Sequence, residues 1–145
     1  MKVLTDRKNA DPERIVALGY CFGGSTVLNM ARRGLPLQAV ASVHGGLDAG
    51  TPIGPKGMSA RILVCHGEAD TLIPMEQVHT FKQEMEAAGA DYTVKVYPDA
   101  GHSFSNPEAD RLAAKFQIPI GYHPEADKAS WADILTFFAE TLKQD

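Results

Sequence analysis

Three short stretches of this sequence carry side chains that could do chemistry together. Gly19-Tyr-Cys-Phe-Gly-Gly24 sets a thiol in a glycine-flanked turn, His66-Gly-Glu-Ala-Asp70 offers a carboxylate, and Asp99-Ala-Gly-His-Ser-Phe104 offers an imidazole. Thiol, carboxylate and imidazole supply a nucleophile, an acid that orients the base, and the base that takes the nucleophile's proton. Cys21, Asp70 and His102 are therefore the expected catalytic unit. A turn sharp enough to lift Cys21 clear of the chain strains the middle residue. Gly19 and Gly23 provide clearance, and Gly24 lets the flanking segments pack closely. A sulfur so placed stands at a helix N-terminus, where the helix dipole favours an anion.

Other residues compete for each role. Ser25 is the rival nucleophile, but its position falls inside the following helix. Glu68 is the alternative acid, although its place in the turn points it toward solvent. Among the histidines, His66 is expected to make a structural hydrogen bond at a strand end. His79 falls on a helix face toward solvent, and His123 sits in a proline-containing loop. His44 ends a strand near enough to line a pocket, without assigned chemistry. No His, Cys or acidic spacing suggests a metal site. Cys65, within Arg61-Ile-Leu-Val-Cys-His66, reads as a buried strand residue. No Cys-x-x-Cys pair exists to support a redox role.

The elements that must position these groups alternate along the chain. Near-continuous apolar runs at 14–19, 39–44 and 61–66 suit strands covered on both faces, as in a parallel sheet. The run 92–97 alternates, with Thr93 and Lys95 opposite Val94 and Val96, and suits a sheet edge. Residues 23–33 have a helical pattern stopped by Gly34. Met75, Val78, Phe81, Met85 and Ala88 recur at helical spacing between Pro74 and Gly89. From about Ala129 to Lys143, Trp131, Ile134, Leu135, Phe138 and Leu142 suggest one apolar helix face. Asp48 to Ser59 reads as a Gly/Pro-rich loop. This alternation predicts an α/β fold of about four mostly parallel strands in a three-layer sandwich, with right-handed crossovers. Each chemical group then follows a different strand, at the edge where ligand sites of open parallel sheets gather.

The chain has 145 residues, 44% of them hydrophobic and 22% charged, and a net charge of −4. Those values fit one ordinary folded domain. No basic stripe suggests nucleic-acid binding, and no apolar run approaches the roughly 18 residues that span a bilayer. The opening Met1–Asn9 does not resemble a signal peptide, so a cytoplasmic location is expected.

Taken together, the segments 19–24, 66–70 and 101–104 resemble those of the dienelactone hydrolase family of α/β-hydrolases. Asn106-Pro107 and the stretch from Tyr122 to Phe138, with Ala126-Asp127 and Ser130-Trp131, are similar as well. The resemblance runs over nearly the whole chain but covers only part of the family's fold. It implies about eight strands with the nucleophile after the fifth, so residues 1–145 are expected to be the C-terminal portion of a single domain. It further implies a cysteine-dependent hydrolase of small-molecule esters or lactones, without cofactor. Its oxyanion hole would use the Phe22 N–H and a second N–H from an early loop. That loop, an early glutamate and the family's substrate-carboxylate-binding cations have no counterpart here. Losing one oxyanion donor lowers rates by roughly 10²–10³, so this chain alone is expected to be weak or inert. The alternative is a non-catalytic remnant or interaction module that keeps the three residues by descent. A thiol-dependent acyltransferase or peptidase would share them too. The 14–19 strand would expose an unpaired edge, from which a homodimer, a domain swap or association with the missing half is expected.

Overall fold

The structure is a computed structural model that describes residues 3, 6–48, 50–54 and 57–143. Part of the opening stretch (residues 1, 2, 4 and 5) and of the Gly/Pro-rich loop (49, 55 and 56) lies outside the described residues.

Four strands, β1 (Val16–Tyr20), β2 (Ala39–Val43), β3 (Arg61–Gly67) and β4 (Tyr92–Tyr97), form one sheet in the order β1-β2-β3-β4. Every neighbouring pair is parallel, with Val43 opposite both Tyr20 and Cys65. Among the described residues, four helices lie between or after them: α1 (Phe22–Arg32), α2 (Met75–Ala87), α3 (Ala109–Phe116) and α4 (Pro124–Lys143). The sheet is parallel because each return passes through a helix or a long loop, so no tight hairpin is available.

Alternation decides which helix covers which face. Val40, Ile62 and Val64 point one way, onto Val27, Leu28 and Ala31 of α1 and Val78, Phe81 and Met85 of α2. Ala41, Val43, Leu63 and Cys65 point the other way, onto Ala126, Ile134 and Phe137 of α4. This is the expected three-layer α/β sandwich. Burying each large apolar side chain stabilises it by about 1.5–3 kcal/mol. The edge strand β4 alternates as its sequence suggests, with Thr93 and Lys95 exposed.

Two sequence expectations need correction. The buried stripe of α4 runs through Ala126, Ser130, Ile134, Phe137 and Thr141, whereas Trp131 and Leu135 are about half exposed. Polar Ser130 and Thr141 are tolerated inside because their hydroxyls donate to the Asp127 and Phe137 carbonyls, at 2.9 and 2.8 Å. The helix also starts earlier than expected, at Pro124, whose missing N–H costs nothing in a first turn. The short helix α3 has no counterpart in the sequence reading. It buries only Ala109 and is eight residues long, shorter than the window over which a helical period can be read. No helix among the described residues is long and apolar enough to cross a membrane.

Candidate active site

All three expected residues sit at the C-terminal edge of the sheet. Cys21 follows β1 directly, and its N–H donates to the Val43 carbonyl at 3.0 Å. Its backbone is held at φ 51° and ψ −120°, a conformation that L-residues avoid unless the surroundings impose it. A Cβ on Gly19 would collide with the Gly23 carbonyl, and one on Gly24 would meet Ser42 Oγ at 2.5 Å. The glycines therefore let the turn close against both its own helix and the neighbouring strand. Cys21 is exposed, lying at the N-terminus of α1, whose first-turn N–H groups, that of Phe22 included, have no intrahelical partner.

Asp70 is placed by the turn after β3. Glu68 N–H donates to the Tyr97 carbonyl and Ala69 N–H to the Ala100 carbonyl, both at 2.9 Å, which ties this turn to the one after β4. Gly67 permits the approach, since a Cβ there would strike the Ala100 carbonyl. Asp70 Oδ1 accepts from the Leu72 and Ile73 N–H groups, each at 2.9 Å. Burial alone would raise its pKa, but hydrogen bonds from His102 and these amides outweigh that and hold it below the ordinary value. Glu68 is exposed, as expected.

His102 follows β4 by a turn in which Asp99 and Ser103 both take left-handed φ values, 58° and 63°. The segment beyond it is pinned from outside: Gly121 N–H donates to the His102 carbonyl at 3.0 Å and His123 N–H to the Phe104 carbonyl at 2.9 Å. The imidazole then bridges the other two groups. His102 Nδ1 lies 2.8 Å from Asp70 Oδ2, and Nε2 lies 3.3 Å from Cys21 Sγ. Its pKa is raised, chiefly by the Asp70 hydrogen bond, against the opposing pull of burial. A continuous chain of hydrogen bonds thus runs from a carboxylate, through an imidazole, to an exposed thiol. Such a chain can strip the proton from sulfur and hold the resulting imidazolium.

Beside Cys21 lies a cavity of about 410 Å³ whose lining includes Tyr20, His44, Ser103, Ser105 and Asn106. A cavity of about 460 Å³ also opens near Gln38, Ser59 and Arg61. That one is at the strands' opposite ends, with none of these groups in it. His44 is buried, and its Nε2 lies 2.9 Å from Ser105 Oγ. Sequence reading placed His44 near the pocket but missed Ser105. The one available signal was that Ser105 directly follows the His102-bearing segment Asp99–Phe104, which places it on the same loop as His102. The structural hydrogen bond expected of His66 is not a close one: neither ring nitrogen has a well-formed partner among the described residues, and the Ile73 backbone is the group that favours its charged form by hydrogen bonding. His66 ends up at 0% exposure within β3, and burial lowers its pKa. Ser25 lies within α1, His79 is exposed, and Cys65 is buried with Tyr97 Oη at 3.4 Å. No group of three or more potential metal ligands occurs among the described residues.

A family model for dienelactone hydrolases matches residues 1–142. A Salmonella typhimurium protein provisionally named carboxymethylenebutenolidase is 33% identical over 142 residues, covering 92% of this chain and 49% of that protein. An uncharacterized Caenorhabditis elegans protein is 35% identical, covering 91% of this chain and 83% of that protein. Among solved structures, a dienelactone hydrolase-like promiscuous phosphotriesterase from metagenomic libraries superposes with a TM-score of 0.86 at 32% identity. The match covers 97% of this chain and 57% of that one. A provisionally assigned dienelactone hydrolase of Klebsiella pneumoniae gives 0.72 at 29% identity, covering 92% and 55%. The chain spans about half the length of the carboxymethylenebutenolidase-named relatives it matches here. By the family match over residues 1–142 and these identities, the chain belongs to the dienelactone hydrolase family.

Proposed function

We propose that this chain is a carboxylic-ester or lactone hydrolase in which Cys21 is the nucleophile, His102 the base and Asp70 the residue that orients the base. The observation that carries this reading is the hydrogen-bond chain from Asp70 through His102 to Cys21. Family membership and the names of the relatives support the same class of reaction. His102 Nε2 takes the thiol proton as Sγ attacks the ester carbonyl, and the Phe22 N–H donates to the oxyanion that forms. Collapse expels the alkoxide, which His102 protonates. Water, deprotonated by His102, then attacks the thioester and releases the acid and the thiol. Asp70 fixes the imidazole tautomer through both steps. None of these steps calls for a cofactor.

Residues 1–145 are, on this reading, the C-terminal portion of a single domain that acts in the cytoplasm. Taken alone it is weak, because one oxyanion donor does the work of two; such a loss is worth roughly 10²–10³ in rate. p-Nitrophenyl acetate tests both halves of the proposal. Slow release that depends on Cys21 is expected. Release unchanged in Cys21→Ala would remove the nucleophile assignment, and brisk turnover abolished by Cys21→Ala would remove only the weakness.

The half-length coverage of the named relatives favours one other reading, a non-catalytic module that retains the three residues. Iodoacetamide separates the two. Rapid alkylation of Cys21 near neutral pH supports the hydrolase, whereas alkylation no faster than that of a free thiol supports the module.

A further inference from the structure

The cavity beside Cys21 has a wall that the hydrolytic steps do not use. His44, one residue beyond β2, is only 3% exposed and holds a left-handed φ of 39°. Its ring packs against His102, with centroids 5.2 Å apart, and meets Phe104 edge-on at 5.3 Å. A non-glycine residue in this region persists only where its surroundings over-determine it, and such residues gather at ligand sites. Burial brings the His44 pKa down to about 4, so at neutral pH the ring is uncharged. One of its nitrogens is then a donor and the other an acceptor. Nε2 is committed to Ser105 Oγ at 2.9 Å.

Ser105 is half-buried and lines the cavity together with Tyr20, Ser103 and Asn106. The Asn106 Oδ1 already accepts from Glu108 N–H at 3.0 Å, which leaves its amide hydrogens for the cavity. This side of the pocket therefore presents neutral groups with hydrogen-bonding capacity to spare. We infer that Ser105, held by His44, is a specificity-determining subsite for a hydroxyl group, and that the preferred ester carries a hydroxyl on the carbon next to its scissile carbonyl. Whichever His44 nitrogen holds the proton, Ser105 keeps either its O–H or a lone pair for the ligand. A ligand hydroxyl rotates to satisfy either case, which a methyl or an ether does not. The inference rests on Cys21 being the nucleophile.

Acylation of Cys21 in the full chain tests it. p-Nitrophenyl hydroxyacetate and p-nitrophenyl propionate differ by a hydroxyl in place of a methyl. Each is read as the first equivalent of p-nitrophenolate released, divided by its rate with N-acetylcysteine to remove intrinsic reactivity. The chain is expected to favour the hydroxyacetyl ester by about tenfold, the scale of one hydrogen bond. The preference is retained in Ser105→Thr and collapses toward parity in Ser105→Ala. Parity in the unaltered chain, or a preference that survives Ser105→Ala, overturns the subsite while leaving the nucleophile intact. Failure of both esters to acylate Cys21 overturns the hydrolase reading and the subsite with it.

Discussion

The two oxygens of Asp70 have separate duties: Oδ1 accepts two backbone N–H groups and Oδ2 faces His102. Asp70→Asn can set its one oxygen against the amides or against His102 Nδ1–H, not both; with the amides served and the turn kept, its NH2 faces the Nδ1–H that the carboxylate accepted. The rate of Cys21 acylation by p-nitrophenyl acetate is expected to fall at least about 10²-fold, since a comparable swap in a serine triad costs about 10⁴ by favouring the wrong tautomer. A second outcome belongs to His44. Between its ordinary value of 6.5 and its folded value of about 4, the unfolded chain binds a proton that the folded chain refuses. Stability is thus lost as pH falls through that window, by about 3 kcal/mol. His102, with a raised pKa, acts in the opposite sense: its contribution is complete below its unfolded value and disappears as pH rises through the folded one. Urea midpoints of His44→Phe measured from pH 7 to 4 should fall less steeply than those of the unaltered chain, and an equal slope would contradict the assignment. Cys21, Asp70 and His102 were legible in the sequence because each lies in a glycine-bearing motif just past an apolar run. The His44–Ser105 contact was not, because it joins residues 61 positions apart and depends on the register of three parallel strands.

At the level of elements, two features hold the site edge in place. The turn from β1 into α1 has no room for a side chain at Gly19. Gly19→Ala is expected to cost at least about 2 kcal/mol through overpacking, read from the urea midpoint, and to slow Cys21 alkylation by displacing the sulfur. Behind the site, Arg32 of α1 is 1% exposed and grips Glu84 of α2 with Nε at 2.9 Å and Nη2 at 2.6 Å. The same Nη2 donates to the Leu47 carbonyl at 2.9 Å. The pair fastens α1, α2 and the segment after β2 together. Arg32→Met strands a carboxylate and a carbonyl, so a loss of about 3 kcal/mol is expected in the same measurement. An unchanged midpoint would show that the network is dispensable. The strands were readable from composition because both faces of β2 and β3 are buried and are filled mostly by apolar side chains. The docked face of α4 was not: Ser130 and Thr141 face inward with their hydroxyls satisfied locally, while Trp131 and Leu135, the natural choices for a core, lie toward solvent.

Across the whole molecule, β1 is the edge that matters, since it leads directly into Cys21, the proposed nucleophile, yet pairs only with β2 among the described residues. Val16, Ala17 and Leu18 are only half-buried there. An unpaired edge with apolar flanks is a template for another strand, and we propose that the chain associates through it, as a homodimer, by domain swapping or with the remainder of the domain. Light scattering is expected to show a mass that grows with concentration, and a clean monomer at high concentration would contradict this. The proposed hydrolysis requires sulfur, imidazole and carboxylate to work as one unit on an ester. Its most direct test is to expose the chain to p-nitrophenyl acetate, quench with acid and map the acetyl group by peptide mass spectrometry. Acetylation is expected at Cys21, absent from Cys65, and strongly reduced in His102→Ala. Acetyl groups scattered over lysines with Cys21 unmodified, or Cys21 acetylated equally fast without His102, would contradict it.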